Sequence, residues 1–195
     1  MVMEPSPSAR LIRDFINTAE PQLGTDQLTS STASDCLQRL GVVVGDVRFP
    51  ATDLALLIGV REGLREMLLG HARHDKQASV LSELDGLLGG IPLTLRLGSG
   101  EASLRAVEDR VVHQAIAGVL SAVIATPPEE WVRLKVCARD SCRWAFFDAS
   151  RNRSGRWCSM AGCGNIVKMR RAYRTRRAAP STSEVGRQVN SPAST

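Results

Sequence analysis

Cys137-Ala138-Arg139-Asp140-Ser141-Cys142 and Cys158-Ser159-Met160-Ala161-Gly162-Cys163 are the two stretches that decide how this chain reads. Each is a C-x4-C pair, and 15 residues separate them. They hold four of the five cysteines within 27 residues. Met1 to Arg10 carries no basic run followed by an apolar one, which argues against a secretory leader and for a reducing cytoplasm. In that setting paired cysteine pairs indicate a metal site rather than disulfides. Four thiolates close a tetrahedral shell around Zn2+, so one structural zinc on Cys137, Cys142, Cys158 and Cys163 is the expected cofactor. A redox pair is disfavoured, because its spacing is two residues and not four. A catalytic zinc would need an open position, which four thiolates leave no room for.

Charge isolates the same region. The net charge of +5 averages −6 over residues 1–130, +11 over residues 131–177 and 0 over residues 178–195. Six of the eight aromatic residues also fall in the basic segment: Trp131, Trp144, Phe146, Phe147, Trp157 and Tyr173. A small metal module needs some of these for its core, while others are free to stack on bases or arginine. Ser150 to Arg156 reads as a polar basic loop, and residues 166 to about 177 as a helix. Ile166, Met169 and Tyr173 share one side of that helix beside a broad cationic face. Crowded like charges repel, and a polyanion relieves that cost while releasing counterions. Arg151, Arg153, Arg156, Lys168, Arg170, Arg171 and Arg174 are therefore the candidate nucleic-acid contacts.

Outward from this module the pattern is helical. Val132, Leu134 and Val136 alternate with Arg133 and Lys135 as a strand, and Ala145-Phe146-Phe147 is a second short apolar run. Pro127-Pro128 marks a boundary. Before it, helices are expected over residues 10–19, 34–40, 52–73, 79–88 and 109–125, with one hairpin from Leu93-Leu95-Leu97 through Gly98-Ser99-Gly100 to residues 102–107. On the 52–73 helix, Leu57, Val60, Leu64, Met67 and Leu68 form the apolar face. Arg61, Glu62, Arg65 and Glu66 fall on the others. Residues 111–124 supply a buried stripe ending at Val123 and Ile124. Cys36 reads as a small buried apolar residue, and His71 and His74 as surface histidines without a third ligand. No glycine-rich phosphate loop and no acid–base or nucleophile constellation stands out, so an enzyme is the weakest option.

The stretch Cys137-x4-Cys142, Phe146, Asp148, Ser150-Arg151-Asn152, then Arg156-Trp157-Cys158-Ser159-Met160 and Cys163-Gly164-Asn165 resembles the CGNR zinc finger family of bacterial proteins. Lys168, Arg170, Tyr173 and Arg174 fit its basic tail. Phe15-Ile16-Asn17-Thr18 and Leu64-Arg65-Glu66 look like signatures of the ABATE domain that such proteins carry at the N-terminus. The resemblance implies four zinc-binding cysteines and a stress-related, DNA-binding transcriptional regulator. Ile166 stands where the motif that names the family has its arginine, which removes one cation beside the metal turn but no ligand.

The resulting expectation is an α+β chain, mostly α. It comprises a flexible tail (1–8), an ABATE-like helical domain with a small β-hairpin (9–128), a treble-clef or zinc-ribbon-like finger ending in a basic helix (131–177), and a disordered tail (178–195). The function expected is a cytoplasmic, zinc-dependent regulator that binds double-stranded DNA. Its N-terminal domain would sense a signal, bind a small-molecule ligand or form a homodimer. RNA binding is the first alternative. A protein-interaction module whose acidic domain masks the basic finger is the second. No membrane association is expected.

Overall fold

The computed structural model describes residues 3–72, 77–98, 100 and 102–178, the last without its side chain. Chain order is α1 (Pro7–Ile16), β1 (Ala19–Glu20), β2 (Thr25–Asp26), α2 (Ala33–Arg39), α3 (Ala51–His71), α4 (Ala78–Gly89), β3 (Leu93–Arg96) and β4 (Ser103–Ala106). Then come α5 (Val111–Ala125), the single turn α6 (Pro128–Trp131), β5 (Leu134–Val136), β6 (Ala145–Phe147), a π-helical turn (Met160–Gly164) and α7 (Asn165–Ala178). The fold is α+β and mostly α, with three two-stranded antiparallel pairs among the described residues. No described helix is long and apolar enough to cross a membrane.

Local chemistry sets most of the boundaries. Helix α1 starts at Pro7, before the apolar stripe, because the Ser6 hydroxyl accepts from the Ala9 N–H at 3.3 Å and proline suits the first helical position. Its Ile12, Phe15 and Ile16, at i, i+3 and i+4, are all fully buried. Helix α3 follows Pro50 and runs 21 residues. The β3–β4 hairpin sets Leu95 opposite Leu104 and packs on α5, where the Ser121 hydroxyl accepts from the Leu104 N–H at 2.7 Å. The remainder of the expected 178–195 tail, Arg73, His74 and Ser99 lie outside the described residues.

One apolar core joins the helices to the cysteine-bearing segment. Leu57, Leu64 and Leu68 of α3 and Ile116 of α5 belong to it, and so do Leu134, Val136 and Ala145 of the β5–β6 hairpin. That hairpin, with Lys135 opposite Phe146, lies against α3 and α1. Its strand is also not half-exposed as the alternation predicts, for Lys135 is as buried as its neighbours.

The central position of α3 corrects a second expectation. Arg61, Arg65 and Glu66 face inward, at 3%, 5% and 8% exposed. A helix covered on several sides has no free polar face, so its ionic groups must find partners. Arg61 forks onto both Asp26 carboxylate oxygens at 2.7 and 2.8 Å. Arg65 Nε donates to Glu62 at 2.9 Å. His71 is half-buried rather than free on the surface: Nδ1 lies 2.8 Å from the Leu134 carbonyl and the ring meets Trp131 edge-on. Val111 and Ile124, expected inside, are exposed at the two ends of α5.

Candidate metal centre and basic surface

The β5–β6 hairpin carries Cys137 and Cys142 in its loop, and the π-helical turn contains Cys163, with Cys158 two residues before it. The four sulfurs lie within 4.8 Å of one another. Sulfurs set tetrahedrally about 2.3 Å from a zinc ion would be about 3.8 Å apart. The Cys142–Cys158 and Cys158–Cys163 separations are 3.8 and 3.7 Å. All five cysteines are free, and such separations are far beyond the roughly 2.05 Å of a disulfide. Four close cysteines of this geometry suit a metal ion in a zinc finger. Cys36 is elsewhere, buried in the helical core.

Burial opposes charge on these sulfurs. It pushes the Cys142 thiol up to about 11, with the neighbouring Cys137 adding to the rise. Cys158 moves the same way for the same two reasons. At Cys137 burial is outweighed by the N–H groups of Arg139 and Cys158, and the thiol goes down. A cation at the centre of the cluster would offset the burial that raises Cys142 and Cys158.

The first cysteine turn is tied to the N-terminal helices. Arg65 Nη1 donates to the Arg143 carbonyl at 2.6 Å and Nη2 to the Ile16 carbonyl at 2.7 Å. Asn17 pairs with Ala145 both ways, accepting its N–H at 2.8 Å and donating to its carbonyl at 2.9 Å. These residues belong to the two short stretches whose sequence resembles ABATE signatures, and sequence reasoning assigned neither a role.

A second assembly shapes the basic loop. Lys135 and Asp148, both nearly inaccessible, pair at 2.7 Å. Lys135 Nζ also donates to the Arg153 and Gly155 carbonyls. Asp148 accepts from the N–H groups of Ser150 and Gly155 at 3.0 and 2.8 Å. Burial works against the Asp148 charge, but these donors outweigh it and hold the carboxyl at about 2. Arg133 Nη1 donates to the Asp148 and Ser150 carbonyls. A polar staple thus fixes the Ser150–Arg156 loop, and Arg151, Arg153 and Arg156 are left on its exposed side. Arg153 takes φ +51°, a left-handed conformation within this loop.

Gly164 and Asn165 suit a tight turn by composition, but they do not make one. They lead from the π-helical turn straight into α7. A Cβ on Gly164 would lie 3.0 Å from the Trp157 ring, so glycine is needed for close approach. Trp157 also receives the Arg156 guanidinium over its ring at 5.5 Å. With Met160, Val167, Lys168 and Arg171 it lines an open groove of about 550 Å³. Arg156, Lys168 and Arg171 are thereby gathered around one indole. Arg170 and Arg174 stand exposed farther along α7, as does every residue from Lys168 to Arg177. Met169 and Tyr173 are exposed as well, so beyond Ile166 the predicted apolar side covers no described part of the molecule.

Residues 9–140 match the family model of ABATE, whose description reads "Putative stress-induced transcription regulator". The chain belongs to the ABATE family. Residues 133–177 match the CGNR zinc finger. The two matches overlap on residues 133–140, within the hairpin that joins the cysteines to the helical core. Both families are of regulatory or zinc-finger type. A comparison with curated proteins finds no match.

Proposed function

We propose that this ABATE protein is a cytoplasmic, zinc-dependent, DNA-binding transcriptional regulator. Cys137, Cys142, Cys158 and Cys163 hold one structural Zn2+, an ion suited to four thiolates. Bound zinc supplies cross-linking of the two cysteine turns and offsets part of the charge of their sulfurs. The ABATE portion senses a signal or mediates oligomerisation.

The observation that carries the reading is α7. It holds six cations and no acid over residues 165–178, and no described element covers it beyond its first turn. A helix of 14 residues is about 21 Å long, enough to lie along a groove of duplex DNA. Arg170, Arg171, Arg174 and Lys168 approach phosphates or base edges from it. Arg151, Arg153 and Arg156 extend the cationic surface from the stapled loop. No acidic side chain among the described residues forms an ion pair with any of these seven, which favours an external polyanion over self-masking.

The test is competition binding of the full-length, zinc-loaded protein to duplex DNA, single-stranded DNA and RNA of matched length. The duplex is expected to compete best. Preference for single-stranded RNA would move the assignment to an RNA-binding protein, with the Trp157 groove as a stacking site.

A further inference from the structure

We propose that Arg65 and Asn17 are positioning residues of the metal centre. Each acts on one cysteine through one peptide unit of the first cysteine turn. The inference rests on reading the four cysteines as a metal site.

Trp144 stands between the two peptide units concerned. The unit joining Arg143 to Trp144 has its carbonyl on Arg65 Nη1, at 2.6 Å. The N–H at its other end, that of Trp144, is directed to the Cys142 sulfur. The unit joining Trp144 to Ala145 has its N–H on Asn17 Oδ1, at 2.8 Å. Its carbonyl accepts from the Cys137 N–H at 2.9 Å. A peptide unit is planar, so fixing one end aims the other. Two side chains of the N-terminal helical region therefore orient the backbone groups that meet the two cysteines of β5–β6.

The Arg65 link also has an electronic effect. Its guanidinium is buried and anchored by Glu62 and the Ile16 carbonyl, so it cannot swing to follow the turn. A cation on a carbonyl polarises the unit and makes the N–H at the far end a better donor. A stronger N–H donor holds the sulfur more firmly in place, as groups that orient a ligand do. Arg143 itself has φ +52°, a conformation arginine seldom adopts without outside support. The Arg65 bond supplies that support at the residue's own carbonyl.

Arg61 is the matched control. It lies one turn away on α3, is equally buried, and spends its donors on Asp26, Thr18 and Glu62 without touching the cysteine turn.

The experiment uses full-length protein. Zinc-loaded wild type, Arg65→Ala, Asn17→Ala and Arg61→Ala are challenged with a chromophoric chelator. Cobalt-loaded forms are compared by their visible absorption, and each variant is melted. Arg65→Ala and Asn17→Ala are expected to give up zinc roughly 10–100-fold more readily, the usual loss on removing a group that orients a ligand. Their cobalt bands shift, while Arg61→Ala loses stability but keeps wild-type release and spectrum. If Arg65→Ala does not fold, Arg65→Lys is measured instead, and release faster than wild type supports the proposal. Wild-type release and spectrum in the folded Arg65 and Asn17 variants overturn it. So does an Arg61→Ala variant that changes both as much, because lost stability alone would then account for the effect. Failure of the wild type to take up zinc or cobalt is a separate outcome that removes the metal reading beneath it.

Discussion

Lys135 sits in a strand whose alternation assigns it to solvent, and the fold buries it at 3% exposed beside Asp148. A buried pair is tolerated only when its remaining donors and acceptors are used, and here the loop backbone uses them. Removing one partner strands the other, so Asp148→Asn is expected to cost about 3–5 kcal/mol in chemical denaturation. The sign with pH follows from the depressed carboxyl. The stabilisation is fully present above the ordinary value of 3.8 and is lost as pH falls through about 2. The whole effect is on the order of 2 kcal/mol, and acid titration of wild type against Asp148→Asn checks it. Gly155 is bound into the same assembly. A Cβ there would meet the Asp148 carboxylate at 2.8 Å, so Gly155→Ala is expected to destabilise by about 1–3 kcal/mol. The motif around Asp148 and the spacing of the cysteines were visible in the sequence. The roles of Arg65, Asn17 and Lys135 were not, because each depends on a partner more than ten residues away that no local pattern announces.

At the scale of elements, periodicity served best where one side of a helix meets one core. Helix α1 and most of α5 follow that rule. Helix α3 departs from it, since neighbours on several sides turn its charged residues inward. Helix α7 departs in the opposite sense: beyond Ile166 its apolar side stays in solvent because nothing described packs on it. The β5–β6 hairpin is the element on which both halves of the molecule depend. Leu134 is fully buried there, so Leu134→Ala is expected to cost about 2–5 kcal/mol. Because the same hairpin bears Cys137 and Cys142, that variant should also release bound zinc faster, as a chelator assay reads directly.

Over the whole molecule, the charge asymmetry and the cysteine pattern pointed to two chemically different pieces. The structure keeps that chemical division while running one apolar core from α1 and α3 into β5 and β6. Metal removal should therefore be felt beyond the finger. Stripping zinc from the full chain is expected to lower the midpoint of a far-ultraviolet melt in which helical signal from the N-terminal part takes part. An unchanged helical transition would show the two pieces to be energetically separate. The cationic surface is the other global feature, and it carries the functional claim. Its direct test is the salt dependence of duplex DNA binding by the zinc-loaded protein. Wild type is compared with a variant carrying Arg170→Gln, Arg171→Gln and Arg174→Gln. The account predicts affinity falling linearly on logarithmic axes as salt rises. The slope is shallower in the variant by about 0.9 for each phosphate that it no longer neutralises. Absence of binding by the wild type at low salt, or an identical slope for both proteins, would contradict it.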